Sequence, residues 1–145
     1  MCGIVDIASK TDCVSEIISG LQALEYRGYD SSGIACSKKN NLNYKKSVGK
    51  ISNLIHELNL NKLQGNTSIA HTRWATHGKP SKVNAHPFVK ENCALVHNGI
   101  VENYDDLIKL FSLDANKLES DTDTEVVAAI YSKLLTQYEP LDALI

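Results

Sequence analysis

Long apolar runs are absent from this 145-residue chain, and with them any segment able to span a bilayer. The N-terminus lacks the basic-then-apolar pattern of an export signal. No run of one charge occurs: 15 Lys and Arg stand against 17 Asp and Glu, for a net charge of -2. Neither a nucleic-acid backbone nor a membrane surface is therefore an expected partner. One Trp and six scattered Tyr make no stacking platform for nucleic acid, and the eight Gly form no phosphate cradle. The four cysteines, Cys2, Cys13, Cys36 and Cys93, contain no CxxC pair. They read as free thiols in a reducing compartment, so the expected location is cytoplasmic. His71, His77, His86 and His97, with Cys93 nearby, match no zinc spacing, and no metal is expected.

What remains is the composition of an ordinary globular domain, 43% hydrophobic and 22% charged, with length enough for one core. Residues 2–8 are short, apolar and β-branched, as a strand requires. Val14, Ile17, Ile18, Leu21 and Leu24 follow at helical spacing, with Thr11 or Asp12 as cap and Gly28 as stop. Ser32 to Ser37 and Leu42 to Val48 read as a strand pair about an Asn40-Asn41 turn. Ile51, Leu54, Ile55 and Leu58 mark a second helix, Ser68 to Thr72 a strand, and Cys93 to His97 another. Residues 73–87 have no clear period. Tyr104, Leu107, Ile108 and Phe111 suggest a third helix, and a fourth follows the stretch Asp121 to Glu125, with Val126, Val127, Ile130, Leu134 and Leu135 for burial. Strand-turn-strand spacings favour an antiparallel sheet and an α+β layered fold.

Several stretches carry more chemistry than a turn or strand end needs. If Met1 is removed, Cys2 holds a thiol and a free α-amine on one residue, a nucleophile and its own base. Free α-amines titrate at roughly 7.7–8.0, so a useful fraction is unprotonated near neutral pH. Arg27 and Asp30 are candidates for a buried pair between two Tyr rings. Arg73 emerges from a strand into the unpatterned loop, where its fork could clamp a carboxylate or simply face solvent. Asn98-Gly99 is either a turn or two N–H donors aimed at one point, an oxyanion hole in outline. Asp123 lies inside a T-x-x-E capping box, Thr122 to Glu125, and either serves the helix dipole or pairs with a ligand ammonium.

Together these segments resemble a known family. Met1-Cys2-Gly3-Ile4-Val5, Leu24 to Ser31 (LEYRGYDS), His71 to Gly78 (HTRWATHG), Asn84 to Phe88 (NAHPF), Val96 to Ile100 (VHNGI) and Ser120 to Glu125 (SDTDTE) occur in the order found in the glutaminase domain of glutamine–fructose-6-phosphate aminotransferases. The resemblance runs from residue 1 to about 133. It implies an N-terminal-nucleophile αββα sandwich that hydrolyses L-glutamine and supplies ammonia for glucosamine 6-phosphate synthesis. Cys2 would be the nucleophile, Asn98 and Gly99 the oxyanion donors, Arg73 the carboxylate clamp and Asp123 the ammonium site. Thr76 and His77 would lie in a loop closing over the substrate, with Trp74 gating ammonia. The family needs no cofactor and no metal, and its full-length members are expected to be homo-oligomers. Where the family usually has Gly, this chain has Asp6, on the strand face of Cys2 and about 13 Å along it. The chain also stops before the strands that finish the family's domain and before its sugar isomerase domain. The expectation is therefore a partial glutaminase domain over 1–145. An inactive truncated remnant, or the glutaminase domain of another transferase such as amidophosphoribosyltransferase, are the alternatives.

Overall fold

The computed structural model describes residues 2–39, 41–58, 63–75 and 79–144. Four strands, β1 (Gly3–Ala8), β2 (Ser31–Lys38), β3 (Asn41–Val48) and β4 (Thr67–Arg73), form one sheet in the order β1-β4-β2-β3. Every pairing in it is antiparallel. Asn40, half of the expected turn between β2 and β3, lies outside the described residues.

The pleat sorts this sheet's side chains onto two faces. Ser32, Ile34 and Cys36 of β2 pair with Thr72, Ala70 and Ser68 of β4, and Ile34, Cys36 and Ala70 enter the apolar core. On that face lie α1 (Val14–Ala23) and α2 (Ile51–Glu57). Val14, Ile17, Ile18 and Leu21 of α1, with Ile51 and Leu54 of α2, complete the cluster. Burying each large aliphatic side chain contributes roughly 1.5–3 kcal/mol. Asp12, one of the two expected caps, accepts from the Val14 N–H at 3.2 Å and from the Gly65 N–H at 2.9 Å. One carboxylate thus starts α1 and ties it to the approach to β4. The helix ends at Ala23, before the expected Gly28, because a 3-10 turn at Glu25–Arg27 takes over.

The opposite face of the sheet presents Ser31, Gly33 and Ala35 beside Arg73, His71 and Ile69. Against it pack β5 (Phe88–Lys90) and β6 (Cys93–Leu95), an antiparallel pair. The expected strand at Cys93 to His97 is shorter than its pattern suggested, and β5 follows directly on the segment without a period. The His86 ring, just before β5, stacks on His71 with centroids 4.3 Å apart. α4 (Asp123–Leu134) covers this second sheet, with the Cys93 thiol donating to the Ala128 carbonyl at 3.7 Å. Beside α4 lies α3 (Tyr104–Leu110), where the Lys133 ammonium donates to the Phe111 carbonyl at 2.6 Å. The order is helices, sheet, sheet, helices, the four layers expected.

Asp6 pairs with Ile69 on the face shared with Cys2, and it is exposed. Its carboxylate is therefore hydrated and needs no buried partner. Among the described residues no helix is long and apolar enough to cross a membrane.

Candidate active site

The register of β1 on β4 sets Gly3 opposite Thr72, which brings Cys2 alongside the end of β4. The Gly3 N–H donates to the Thr72 hydroxyl at 3.1 Å and holds the chain start in that position. The Trp74 N–H donates to the Cys2 sulfur at 3.3 Å, and the thiol faces the Trp74 carbonyl at 3.8 Å. From the second sheet, the Asn98 amide donates to the Cys2 carbonyl at 3.3 Å. Two expected site residues distant in sequence from Cys2 thus meet it directly. Met1, Thr76 and His77 lie outside the described residues.

Arg73, the last residue of β4, is only 6% exposed. Burial pulls its guanidinium below the ordinary value, while the nearby Cys2, Asp30 and Asp123 act in the opposite sense. Those opposing groups mark the convergence of a buried cation with the Cys2 thiol and a carboxylate from α4. Asp30 braces the strand end from below. Its N–H donates to the Arg73 carbonyl at 3.1 Å and its carboxylate accepts from the Ala75 N–H at 2.8 Å. The contact with Ala75 shapes the turn around Trp74. The Trp74 ring is 45% exposed and meets Tyr29 edge-on, centroids 5.6 Å apart.

Asn98 and Gly99 leave the end of β6 exposed. Below Gly99 lies the His97 ring: a Cβ on Gly99 would come within 2.6 Å of Nε2. His97 Nδ1 is in turn 3.3 Å from the Thr124 hydroxyl. Asp123, at the head of α4, accepts from the Val101 N–H at 2.6 Å and from the Thr124 hydroxyl at 3.3 Å. It is half-buried, on the same side as Arg73.

The capping box expected at Thr122 to Glu125 does not form. Thr122 is the N-cap but makes no side-chain cap bond, its hydroxyl lying instead 2.9 Å from that of Ser120. Glu125 reaches past Thr122 to the N–H groups of Glu119 and Ser120, at 3.0 and 2.7 Å, and to the Lys90 ammonium at 2.8 Å. Burial pushes the Glu125 carboxyl up, yet Lys90 and these N–H groups together hold it below the ordinary carboxylate value. This buried network, which positions the start of α4 and so Asp123, was missed in the sequence. A second missed feature is the His71–His86 stack. Burial is the chief force pushing both down, to about 4 and about 2 respectively, so both rings are neutral beside charged Arg73. His71 could have been found from strand alternation, since it shares the phase of Arg73. Among the described residues no group of three or more His, Cys, Asp or Glu could hold a metal ion.

The site therefore combines a thiol, an adjoining amide and backbone pair, a buried cation and a carboxylate. A family model described as a glutamine amidotransferase domain matches residues 60–138, more than half of the chain. This chain belongs to that family. It is 50% identical over 135 residues to the glutamine–fructose-6-phosphate aminotransferase (isomerizing) of Francisella tularensis, covering 92% of this chain and 22% of the relative. The corresponding protein of Helicobacter pylori is 51% identical over 136 residues, with 93% and 23% covered. The chain thus spans less than a quarter of the length of these relatives. Among solved structures, a B. subtilis glutamine phosphoribosylpyrophosphate amidotransferase complexed with ADP and GMP matches with a TM-score of 0.80 at 25% identity. That match covers 99% of this chain and 31% of the other. The amidotransferase domain described here is accordingly an α+β sandwich of the N-terminal-nucleophile type.

Proposed function

We propose that this amidotransferase domain hydrolyses the side-chain amide of L-glutamine, with Cys2 as an N-terminal nucleophile after removal of Met1. The reading rests on Cys2, whose sulfur accepts from the Trp74 N–H at 3.3 Å and whose carbonyl accepts from Asn98 at 3.3 Å. The α-amine of Cys2, acting through a water, takes the thiol proton, and the sulfur attacks the amide carbon. An amide nitrogen has two N–H donors. With one of them on the Cys2 carbonyl, Asn98 keeps the other for the oxyanion, beside the Gly99 N–H. The amine proton leaves with ammonia, and water then hydrolyses the γ-glutamyl thioester to glutamate. Arg73 clamps the substrate α-carboxylate and Asp123 its α-ammonium, while Trp74, Thr76 and His77 close over it. No metal or cofactor enters any step.

In this reading residues 1–145 are part of a glutaminase domain within a longer, homo-oligomeric cytoplasmic enzyme. Its sugar isomerase domain would use the ammonia to make glucosamine 6-phosphate from fructose 6-phosphate. Identities near 50% to aminotransferases of that name support this acceptor. The 25% identity to the phosphoribosyl enzyme is weaker support for the alternative. Four free cysteines fit a reducing compartment. The test is release of glutamate and ammonia from L-glutamine by the processed protein. Cys2→Ala should abolish it, and activity surviving in that variant refutes the proposal.

A further inference from the structure

A cavity of about 510 Å³ opens between β3 and the layer of β5 and α4, and it shares no lining residue with the Cys2 site. Lys46 enters it from β3, paired with Gly33 and so on the sheet face that meets β5. Its ammonium lies over the Phe88 ring, 4.5 Å from the centroid. Three carboxylates line the cavity, Glu57, Glu119 and Glu125, and among the described residues none of them pairs with Lys46. Glu125 pairs with Lys90 at 2.8 Å, and Glu57 with Lys82 at 2.7 Å. Lys46 itself is half-buried and, among the described residues, makes neither an ion pair nor a hydrogen bond. A lysine without a carboxylate, resting on an aromatic face beside open space, is poorly solvated as a cation and has room to react.

We propose that Lys46 is an acyl-acceptor site, taking a small acyl group from an activated donor, either an acyl phosphate or an acyl thioester. The Nζ lone pair attacks the donor carbonyl carbon and forms a C–N bond. The C–O bond to phosphate or the C–S bond to thiolate breaks, its electron pair leaving with that group. The nitrogen loses one proton to the leaving group or solvent, and nothing is oxidised or reduced.

The electrostatics agree with the geometry. Burial pulls the Lys46 amine down from 10.5 to about 8, with Lys90 adding to the effect and Glu125 and Glu119 opposing it. Tyr44 and Lys45 from its own strand, with Glu57 and Lys82, are the other titratable groups lining the cavity. A fall of that size raises the free-amine fraction near pH 7 by roughly 10²-fold. A weaker base is also a weaker nucleophile. A slope of about 0.5, the value for thiols, returns half of the gain on a logarithmic scale and leaves roughly tenfold.

The test treats the intact chain with acetyl phosphate in one arm and acetyl-coenzyme A in the other, reading acetylation at each lysine by peptide mass spectrometry. The expected result in at least one arm is Lys46 labelled about tenfold faster than exposed Lys50, with a rate that levels off above pH 8. The arm that labels identifies the donor class. In urea the advantage should vanish, and Lys46→Arg should remove that signal while leaving Lys50 labelling unchanged. If Lys46 reacts no faster than Lys50 with either donor, or its rate still climbs toward pH 10, the proposal is overturned.

Discussion

At Gly33 the chain just before β5 presses closely on the first sheet, and adding a methyl group there is a sharp test of the packing that assembles the site. A Cβ at this position would lie 2.2 Å from the His86 carbonyl oxygen and 3.0 Å from that of Lys45. Close C···O contacts normally begin near about 3.3 Å, so the His86 backbone would have to retreat by about 1 Å. It has little room, because the His86 ring is stacked on His71 and also meets Phe88 edge-on, centroids 4.9 Å apart. Overpacking a tight core costs about 1–3 kcal/mol, and a clash against backbone belongs at the upper end. Gly33→Ala should therefore destabilise the domain by about 3 kcal/mol in urea titration. At about 2–4 °C per kcal/mol, this is a fall of roughly 6–12 °C in Tm. Cys2 and Arg73 lie at one end of the first sheet, whereas Asn98 follows β6 and Asp123 heads α4 on the other side of the packing seam. Parting the layers should raise KM for glutamine as well. A Gly33→Ala protein within about 0.5 kcal/mol of wild type, with KM unchanged, would refute the packing argument.

Arg73→Ala should raise KM for glutamine by about 10²–10³-fold, the loss of two charge-assisted bonds to one carboxylate; an unchanged KM would remove Arg73 from the substrate. Glu125→Ala should cost about 3–5 kcal/mol in urea unfolding, since it strands Lys90 and two backbone N–H groups, and Glu125→Gln should cost less. Because the Glu125 carboxyl is held below its unfolded value, its contribution persists above that value, near about 4.3, and is lost as pH falls through the folded one. The histidine pair acts at higher pH. His71 and His86 are neutral in the fold, with values pushed to about 4 and about 2, against 6.5 unfolded. Protons therefore favour the unfolded chain below pH 6.5, and each neutral ring costs up to about 1.4 kcal/mol per pH unit as pH falls toward 4. Urea titrations from pH 7 to 5 should show this slope, and His71→Asn should roughly halve it; a flat wild-type profile would contradict the burial of the pair.

The layer order and most elements were legible because apolar spacing reports them directly. Val14, Ile17, Ile18 and Leu21 mark one helix face, and β-branched runs mark the strands. β5 was not legible: Phe88–Lys90 is three residues long and follows a loop, too short to show alternation. The Thr122 to Glu125 pattern misled for a different reason. A capping box is a local preference worth about 1 kcal/mol, whereas Glu125 gains a buried ion pair with Lys90, 35 residues away. Pairing at that distance leaves no local trace in a single chain. Within the site, the types at Cys2, Arg73, Asn98 and Asp123 were suggestive, but their convergence depends on register. The offset of β1 on β4 sets Cys2 at Trp74, and the packing of His86 against Gly33, just before β5, helps seat the layer that brings Asn98 to Cys2.

The central claim is that Cys2 attacks glutamine with its own freed amine as base. Its most direct test is to mix processed protein with L-glutamine, quench in acid, and search the N-terminal peptide by mass spectrometry. The expected species is a γ-glutamyl thioester on Cys2 in the peptide lacking Met1, lost on adding hydroxylamine as γ-glutamyl hydroxamate appears. A protein that turns over glutamine while retaining Met1, or with no adduct on Cys2, would contradict the account.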